Sequence, residues 1–292
     1  MKKILVTGSE GFIGKHLCAA LTVLGHSVIR VDKKLGTDLC KLETFRELPE
    51  VDLVVHLAAF NGTKYFYLQP FDVIRDNILS TQYLLDFYKG NVEKIIFTGT
   101  CESYAGAIDL FSYNVPTDET VPLVISDVSN PRWSYGGSKI LNELQIYSVF
   151  HQFKQNFTII RYHNVYGPGQ VDHFIPEFSI RAKTGDFTLK GWKNTRSFMY
   201  ITDAIRATID IIFNNNCNNQ IINVGVNDER TIEEIAKIIL KELQINGELI
   251  LEDAPPGSVS RRQADLSKLE QLTNFVPSVS IEQGIKFTLE NL

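Results

Sequence analysis

The sequence predicts an α/β fold built on a doubly wound parallel sheet, and three observations predict it. Short apolar runs alternate with longer segments of helical spacing through the first half of the chain. A glycine triplet, Gly8, Gly11 and Gly14, separates the first such run from the first such helix. The second half is less regular and has no repeats and no long linker, which fits a smaller C-terminal domain interleaved with the first.

Taken in order, Lys3–Thr7 is a short apolar strand. The segment 14–25 carries Leu17, Ala20, Leu21 and Leu24 at helical spacing. Ser27–Val31 and Leu53–Leu57 read as the next two strands, Asp76–Tyr88 as a helix and Lys94–Thr98 as a strand. Trp133–Phe150 follows as a long helix and Thr158–Arg161 as a strand. Apolar strands separated by helices imply a parallel sheet covered on both faces. Further on, polar Asn214–Asn219 reads as a surface loop before a strand at Ile221–Val224. Thr231–Leu243 reads as an amphipathic helix, with Thr231 as N-cap and Glu234 three residues later. Pro255, Pro256 and Gly257 mark a loop.

Composition narrows the class. A chain of 292 residues with 44% hydrophobic content can bury a large core. A net charge of −5 gives no reason to expect nucleic acid or an anionic membrane as partner. Cys18, Cys40, Cys101 and Cys217 form no CxxC pair, so neither a metal site nor a disulfide framework is expected, and a reducing cytoplasm is the default. No apolar run reaches the length of a membrane span. The apolar start MKKILVTGSEGF is broken by glycines and reads as a first strand, not as a signal peptide.

The glycine triplet is the strongest local signal. Its spacing is GxxGxxG. Glycines there permit a tight turn, let backbone approach a pyrophosphate and allow a helix to pack closely on a strand. The helix N-terminus then presents free N–H groups and a positive dipole end to phosphate. Asp32 ends the second strand, where a carboxylate accepts hydrogen bonds from ribose hydroxyls and repels a 2′-phosphate. This Rossmann-type arrangement favours NAD over NADP, although Lys33 and Lys34 follow directly.

Tyr135 and Lys139 form a YxxxK pair. On a helix they share a face, and the ammonium is expected to lower the tyrosine pKa, leaving a base for a sugar hydroxyl. Alone the pattern is weak. In order along the chain, however, stand VTGSEGFIG, HLAA, FTGT, YGGSK, RYHNVYGPG, TRSFMYITD and RRQADLSK. With this ordered set the chain resembles the extended short-chain dehydrogenase/reductase family of nucleotide-sugar epimerases, dehydratases and decarboxylases, over nearly its whole length.

The resemblance implies roles residue by residue. Thr100 would hydrogen-bond the reacting hydroxyl, Tyr135 would be the base, and Lys139 its partner on the nicotinamide ribose. NAD would be held by Gly8, Gly11, Phe12, Ile13, Gly14, Asp32, Asp38, Leu39, Leu57, Ala58, Ala59, Asn77 and Thr98, together with Tyr135 and Lys139. A nucleotide-diphosphate sugar would be held by Asn164, His163, Arg196 and Arg262. Residues 1–165, with about 200–225 returning to them, would be the NAD-binding domain, and residues 166–199 and 226–292 the nucleotide-sugar-binding domain. The helices Asp76–Tyr88 and Trp133–Phe150 correspond to those that form a four-helix dimer interface in relatives, which implies a homodimer. No metal is implied.

Several positions leave alternatives open. Glu102 matches the C5 base of the 4,6-dehydratases, and equally suits an ion pair or a sugar hydroxyl. Cys101 precedes it where a better proton donor usually stands, since a thiol hydrogen-bonds weakly. Arg132-Trp133 resembles the decarboxylases. Arg196 and Arg262 would grip a diphosphate or form ordinary surface salt bridges. His163 would touch substrate or be packed, and Trp192 would stack near the nucleotide or sit at the core edge. The expected chemistry is hydride removal at C4 to give a 4-keto sugar. A 4,6-dehydratase, a uronate decarboxylase, a 4-keto sugar reductase and a non-catalytic NAD-binding protein are the competing readings.

Overall fold

The computed structural model describes residues 1–254 and 258–292. The loop expected at Pro255–Gly257 lies outside the described residues.

A six-stranded parallel sheet forms the centre. Its strands are β1 (Lys3–Thr7), β2 (Ser27–Val31), β3 (Leu53–His56), β4 (Lys94–Thr100), β5 (Phe157–Tyr162) and β10 (Gln220–Val224). They lie in the order β10-β5-β4-β3-β1-β2. The chain leaves β1, builds β2 on one side, then returns to add β3, β4 and β5 on the other. That reversal opens a crevice at the carboxyl ends of β1 and β3, the place where open α/β sheets bind ligands. Every residue of β3, β4 and β5 is buried, as a sheet covered on both faces requires.

Helices α1 (Phe12–Val23), α3 (Pro70–Tyr88), α5 (Trp133–Phe153) and α7 (Ile201–Phe213) cover the sheet, with the short α2 (Thr63–Leu68) and α4 (Ala105–Phe111) beside them, and α6 (Phe174–Lys183) packs in the C-terminal lobe. Helix α3 begins at Pro70, a turn and a half before the expected Asp76. Proline lacks an N–H that would be unpaired in the first turn anyway, and its fixed φ suits a helix start. Helix α5 continues to Phe153, past the expected Phe150. Core residues of the sheet fall into two large clusters, one on each face.

The rest of the chain forms smaller pieces against the crevice. β6 (Val165–Tyr166) pairs with β9 (Met199–Tyr200), and β7 (Thr188–Lys190) with β12 (Ile250–Glu252). β8 (Thr195–Ser197) lies between β11 (Glu229–Thr231) and β13 (Arg261–Arg262). Helices α8 (Ile232–Glu242), α9 (Ser267–Thr273) and α10 (Ile281–Leu289) complete the lobe. Thr231 caps α8 as expected, with Glu234 closing a capping box. The polar Asn214–Asn219 segment is not wholly a surface loop. It holds a 3₁₀ turn at Asn215–Cys217, and Cys217 is fully buried. Among the described residues no helix is long and apolar enough to cross a membrane, and no group of three or more His, Cys, Asp or Glu could hold a metal ion.

Candidate active site

A cleft of about 1260 Å³ runs between the sheet's carboxyl edge and the C-terminal lobe. A pocket for one drug-sized ligand holds roughly 300–1,000 Å³, so this cleft has room for a dinucleotide and a second ligand side by side.

One wall is made of backbone. Gly8 adopts φ +67°, a left-handed conformation that glycine takes without strain. A Cβ on Gly14 would stand 2.1 Å from the Gly8 carbonyl oxygen, and one on Gly8 would stand 2.8 Å from the Ala58 nitrogen. Nothing larger than hydrogen fits either place. Helix α1 starts from Gly11 with no side-chain cap and no acidic residue in its first turn, which leaves its N-terminal N–H groups open to an anion. Gly8, Gly11, Phe12, Ile13, Gly14, Asp32, Leu57, Ala59 and Thr98 line this wall. The Asp32 carboxylate accepts hydrogen bonds from the Glu10 and Lys34 amides at 3.0 and 2.9 Å, which fixes it at the rim. This cradle fits a dinucleotide pyrophosphate with a ribose at Asp32.

Four residues expected on this wall stand behind it. Ala58 donates its N–H to the Thr7 hydroxyl. Asn77 accepts from the Phe60 amide at 2.7 Å and donates to Ser138 Oγ at 3.0 Å, so it shapes the wall from below. Leu39 is buried in the core, and Asp38 accepts from the Cys40 amide at 3.0 Å. None of the four lines the cleft. His56 is structural: it is buried between Thr7 and Thr81 hydroxyls at 2.7 and 3.1 Å, and burial pushes its pKa down to about 3.

The cleft floor gathers Thr100, Tyr135 and Lys139. Thr100 ends β4, and its hydroxyl faces Tyr135 of α5 and accepts the Glu102 amide at 3.2 Å. The Lys139 ammonium donates to the Thr98 carbonyl at 2.8 Å and lies 4.7 Å above the Phe97 ring. It is 5.9 Å from the Tyr135 ring centroid. The expected lowering of the tyrosine pKa is overturned here. Burial, then the nearby Glu102 carboxylate and Cys101 thiol, pushes the phenol above its ordinary value, with Thr100 pulling slightly back. Burial pushes Lys139 down to about 7, so its own charge is only partly present near neutrality. Phe66 of α2 stacks on Tyr135, with centroids 4.9 Å apart and planes 8° from parallel.

The facing wall is made of charged side chains. Glu102 lies between two guanidinium groups, Arg262 at 2.7 Å and Arg132 at 2.9 Å. Burial raises its pKa, but Arg262 and Arg132 together outweigh that and hold it at about 2. Arg262 is buried, and its Nε and Nη2 atoms have no hydrogen-bond partner among the described residues. Arg196 donates to the Thr195 and Val259 carbonyls at 2.7 and 2.9 Å. Burial and the neighbouring Arg262 lower its pKa to about 10. Among the described residues neither arginine forms an ordinary surface salt bridge. Cys101 is buried beside them, with its thiol pushed up by burial. Asn164 lines the cleft and donates to the Ser197 carbonyl at 2.9 Å.

His163 does not line the cleft. It is fully buried, with its Nε2 hydrogen-bonded to the Tyr104 hydroxyl. Its backbone pairs with Val224 beyond β5, and that register turns the side chain under the floor. Trp192 packs at the core edge. Phe66 is a site residue that sequence reasoning does not single out, and Arg132, which the sequence marks only beside Trp133, has an unforeseen place against Glu102. Arg132 stands three residues before Tyr135, a spacing that could have drawn notice; Phe66 had no signal at all.

The backbone cradle, the acidic rim and the Thr100–Tyr135–Lys139 floor define an NAD-dependent enzyme of the short-chain dehydrogenase type. The chain belongs to the NAD dependent epimerase/dehydratase family, whose model matches residues 4–225. It is 32% identical to a UDP-N-acetyl-alpha-D-glucosaminuronate decarboxylase of Bacillus cytotoxicus, over 99% of this chain and 97% of that one. It is 28% identical to the dTDP-D-glucose 4,6-dehydratase of Homo sapiens, over 99% and 89%. Among solved structures, a UDP-glucuronic acid 4-epimerase from Bacillus cereus, in complex with UDP-glucuronic acid and NAD, superimposes with a TM-score of 0.84 at 27% identity, covering 99% and 98%.

Proposed function

We propose that this enzyme oxidises a nucleotide-diphosphate sugar at C4 to a 4-keto sugar. The observation that carries the reading is the meeting of Thr100, Tyr135 and Lys139 on the floor between a dinucleotide cradle and an arginine-rich wall. NAD+, when bound, supplies the hydride acceptor and a positive charge beside the phenol. Thr100 orients the C4 hydroxyl. Tyr135 accepts its proton as the C4–H bond gives up its electron pair, and the two losses leave a ketone at C4. A cation beside Tyr135 offsets the burial that disfavours phenolate, and Lys139 carries that charge on the protein side. Arg196 and Arg262 hold the diphosphate, Asn164 the nucleotide-sugar, and residues 166–199 and 226–292 form the lobe that receives it.

The fate of the 4-keto sugar turns on Glu102. A carboxylate held at about 2 by two arginines is a poor proton acceptor, which weighs against Glu102 as the C5 base of a dehydratase. Epimerisation at C4 and decarboxylation of a uronate need no such base. The test is incubation with UDP-, dTDP-, GDP- and CDP-sugars and uronates, with products read by mass and NMR. An unchanged mass, or the loss of carbon dioxide, fits this reading. Loss of water in wild type that persists in Glu102→Gln would assign the C5 base elsewhere. Cofactor that exchanges freely through gel filtration would favour a reductase. No turnover of any nucleotide-sugar would favour a non-catalytic NAD-binding protein.

We also propose a cytoplasmic homodimer, with α3 and α5 as its interface. The groove between these helices is lined by Ile78, Leu141, Leu144 and Phe153. Leu141, Leu144 and Phe153 stand 49%, 62% and 42% exposed along this groove, and a contiguous apolar strip of this kind marks an interaction surface. Light scattering at micromolar concentration should give twice the 33.1 kDa chain mass, and a monomeric mass would reject the dimer.

A further inference from the structure

Behind the catalytic floor lies a second charged pair. Glu143 stands one turn beyond Lys139 on α5, as Lys139 stands one turn beyond Tyr135, so the three share a face. Glu143 meets Arg161 of β5 in a two-pronged ion pair, Oε1 at 3.1 Å from Nε and Oε2 at 2.8 Å from Nη2. Their side chains are only 4% and 2% exposed. A buried pair of this kind is expensive to desolvate and is weak evidence for stability.

Its seat is specific. Gly99 of β4 is paired in register with Arg161 of β5. A Cβ on Gly99 would lie 2.7 Å from the Glu143 carboxylate and 3.2 Å from the Arg161 stem. The missing side chain is therefore the slot that admits the carboxylate to the sheet. Gly99 is flanked by Thr98, whose carbonyl receives Lys139, and Thr100, whose hydroxyl meets Tyr135. Arg161 is held from the far side by the Glu119 carbonyl at 3.2 Å.

We infer that Glu143, clamped by Arg161 in the Gly99 slot, is a positioning residue that sets α5 against β4 and places a carboxylate one turn from Lys139 on the catalytic face. The slot fixes how far along β4 the helix sits, and both catalytic side chains hang from that helix. The inference rests on the reading of Tyr135 and Lys139 as the reacting pair. The charged and titratable groups facing Lys139 are Tyr135 and Glu143 on its own helix and His56 on β3, with Arg161 on β5 behind Glu143. His56 is neutral because burial holds it near 3, so Glu143 is the anion of the set. Consistently, Glu143 opposes the burial that pushes Lys139 down to about 7.

The experiment tracks Lys139 directly. The full chain is made with ¹³C-labelled lysine, and the Lys139 Cε signal is assigned by its loss in Lys139→Arg. Its titration midpoint is then read in wild type and in Glu143→Gln, which keeps the shape and an acceptor for Arg161. The midpoint is expected to fall by about one pH unit, the effect of removing one nearby charge. The descending limb of kcat/KM on the best nucleotide-sugar should shift to lower pH with it. Gly99→Ala keeps the charge but closes the slot, and should disturb both readouts while NAD remains bound. If Glu143→Gln does not fold, the double variant Glu143→Gln, Arg161→Gln tests the same pair, with a smaller fall of the midpoint because the more distant positive charge of Arg161 is lost as well. An unmoved midpoint in a folded variant overturns the inference, as does lost activity with an unmoved limb. A midpoint that moves in a chain that turns over no nucleotide-sugar would reject the proposed reaction and keep Glu143's hold on Lys139.

Discussion

The two walls of the cleft are built by opposite means. The glycine wall is contiguous in sequence and made of backbone. Gly8, Gly11 and Gly14 lie within one turn and the helix it opens, and their requirement is the absence of side chains. The arginine wall is made of side chains brought from far apart. Glu102 reaches Arg132 across 30 residues and Arg262 across 160. The first wall therefore fails when an atom is added, and the second when a charge is removed. Between them the floor depends on both, since Thr100 belongs to the sheet and Tyr135 and Lys139 to a helix laid over it.

The largest effect is expected on the floor. Tyr135→Phe removes the hydroxyl that we propose accepts the proton and leaves the stack with Phe66 intact. Turnover should fall about 10²–10⁴-fold, the range for a positioned acid or base. NAD binding, measured by fluorescence titration, should hardly change, and a Tyr135→Phe enzyme at full speed would break the assignment of the floor.

Next comes the glycine wall. Gly14→Ala places a methyl carbon 2.1 Å from the Gly8 carbonyl oxygen, and backbone cannot yield as a side chain can. We expect a loss of about 1–3 kcal/mol in denaturant unfolding, as overpacking generally costs, together with loss of copurifying NAD. The same change at Gly36, where a Cβ meets nothing within 4 Å, tests φ +86° alone and should spare NAD. Equal NAD loss in both variants would show that steric closure of the cradle is not the cause.

The arginine wall should answer to pH. The folded-state pKa of Glu102 lies at about 2, below the ordinary 4.5. A depressed carboxylate stabilises the fold above its unfolded pKa, and that contribution fades as pH falls from 4.5 towards 2. Glu102→Gln should therefore be less stable than wild type at neutral pH, with the gap closing across that window in thermal melts. A gap that stays constant down to pH 2 would mean that the carboxylate does not carry the charge interaction.

The smallest effect is expected beneath the floor. His163→Gln loses the bond to Tyr104 but touches no cleft surface. It should cost about 1 kcal/mol of stability, the worth of a hydrogen bond, and leave KM for the sugar within twofold. A tenfold rise in KM would return His163 to the substrate side.

The same contrast explains which features are legible in the sequence. Strand and helix periodicity marks β1 to β5, α1 and α5, because each element's burial is written in its own apolar spacing. The glycine triplet and Asp32 are legible for the same reason: their constraint is local. The misreadings share the opposite property. His163 sits in the RYHN segment beside the cleft, but the pairing of its backbone with Val224 turns its ring inward. The expected acid shift of Tyr135 rests on i, i+4 spacing, and burial reverses it. Phe66 reaches the catalytic ring from a short helix with no motif of its own.

By itself, then, the sequence determined the alternation of strands and helices, the dinucleotide turn and the Tyr135–Lys139 pair, because neighbours within a few residues meet whatever the rest of the chain does. Only the tertiary structure decided that Glu102 is clamped by two arginines, that His163 lies under the floor, and that Gly99 opens a slot for Glu143. Those outcomes depend on desolvation and on the distance between charges, and both are set by how separate elements pack together.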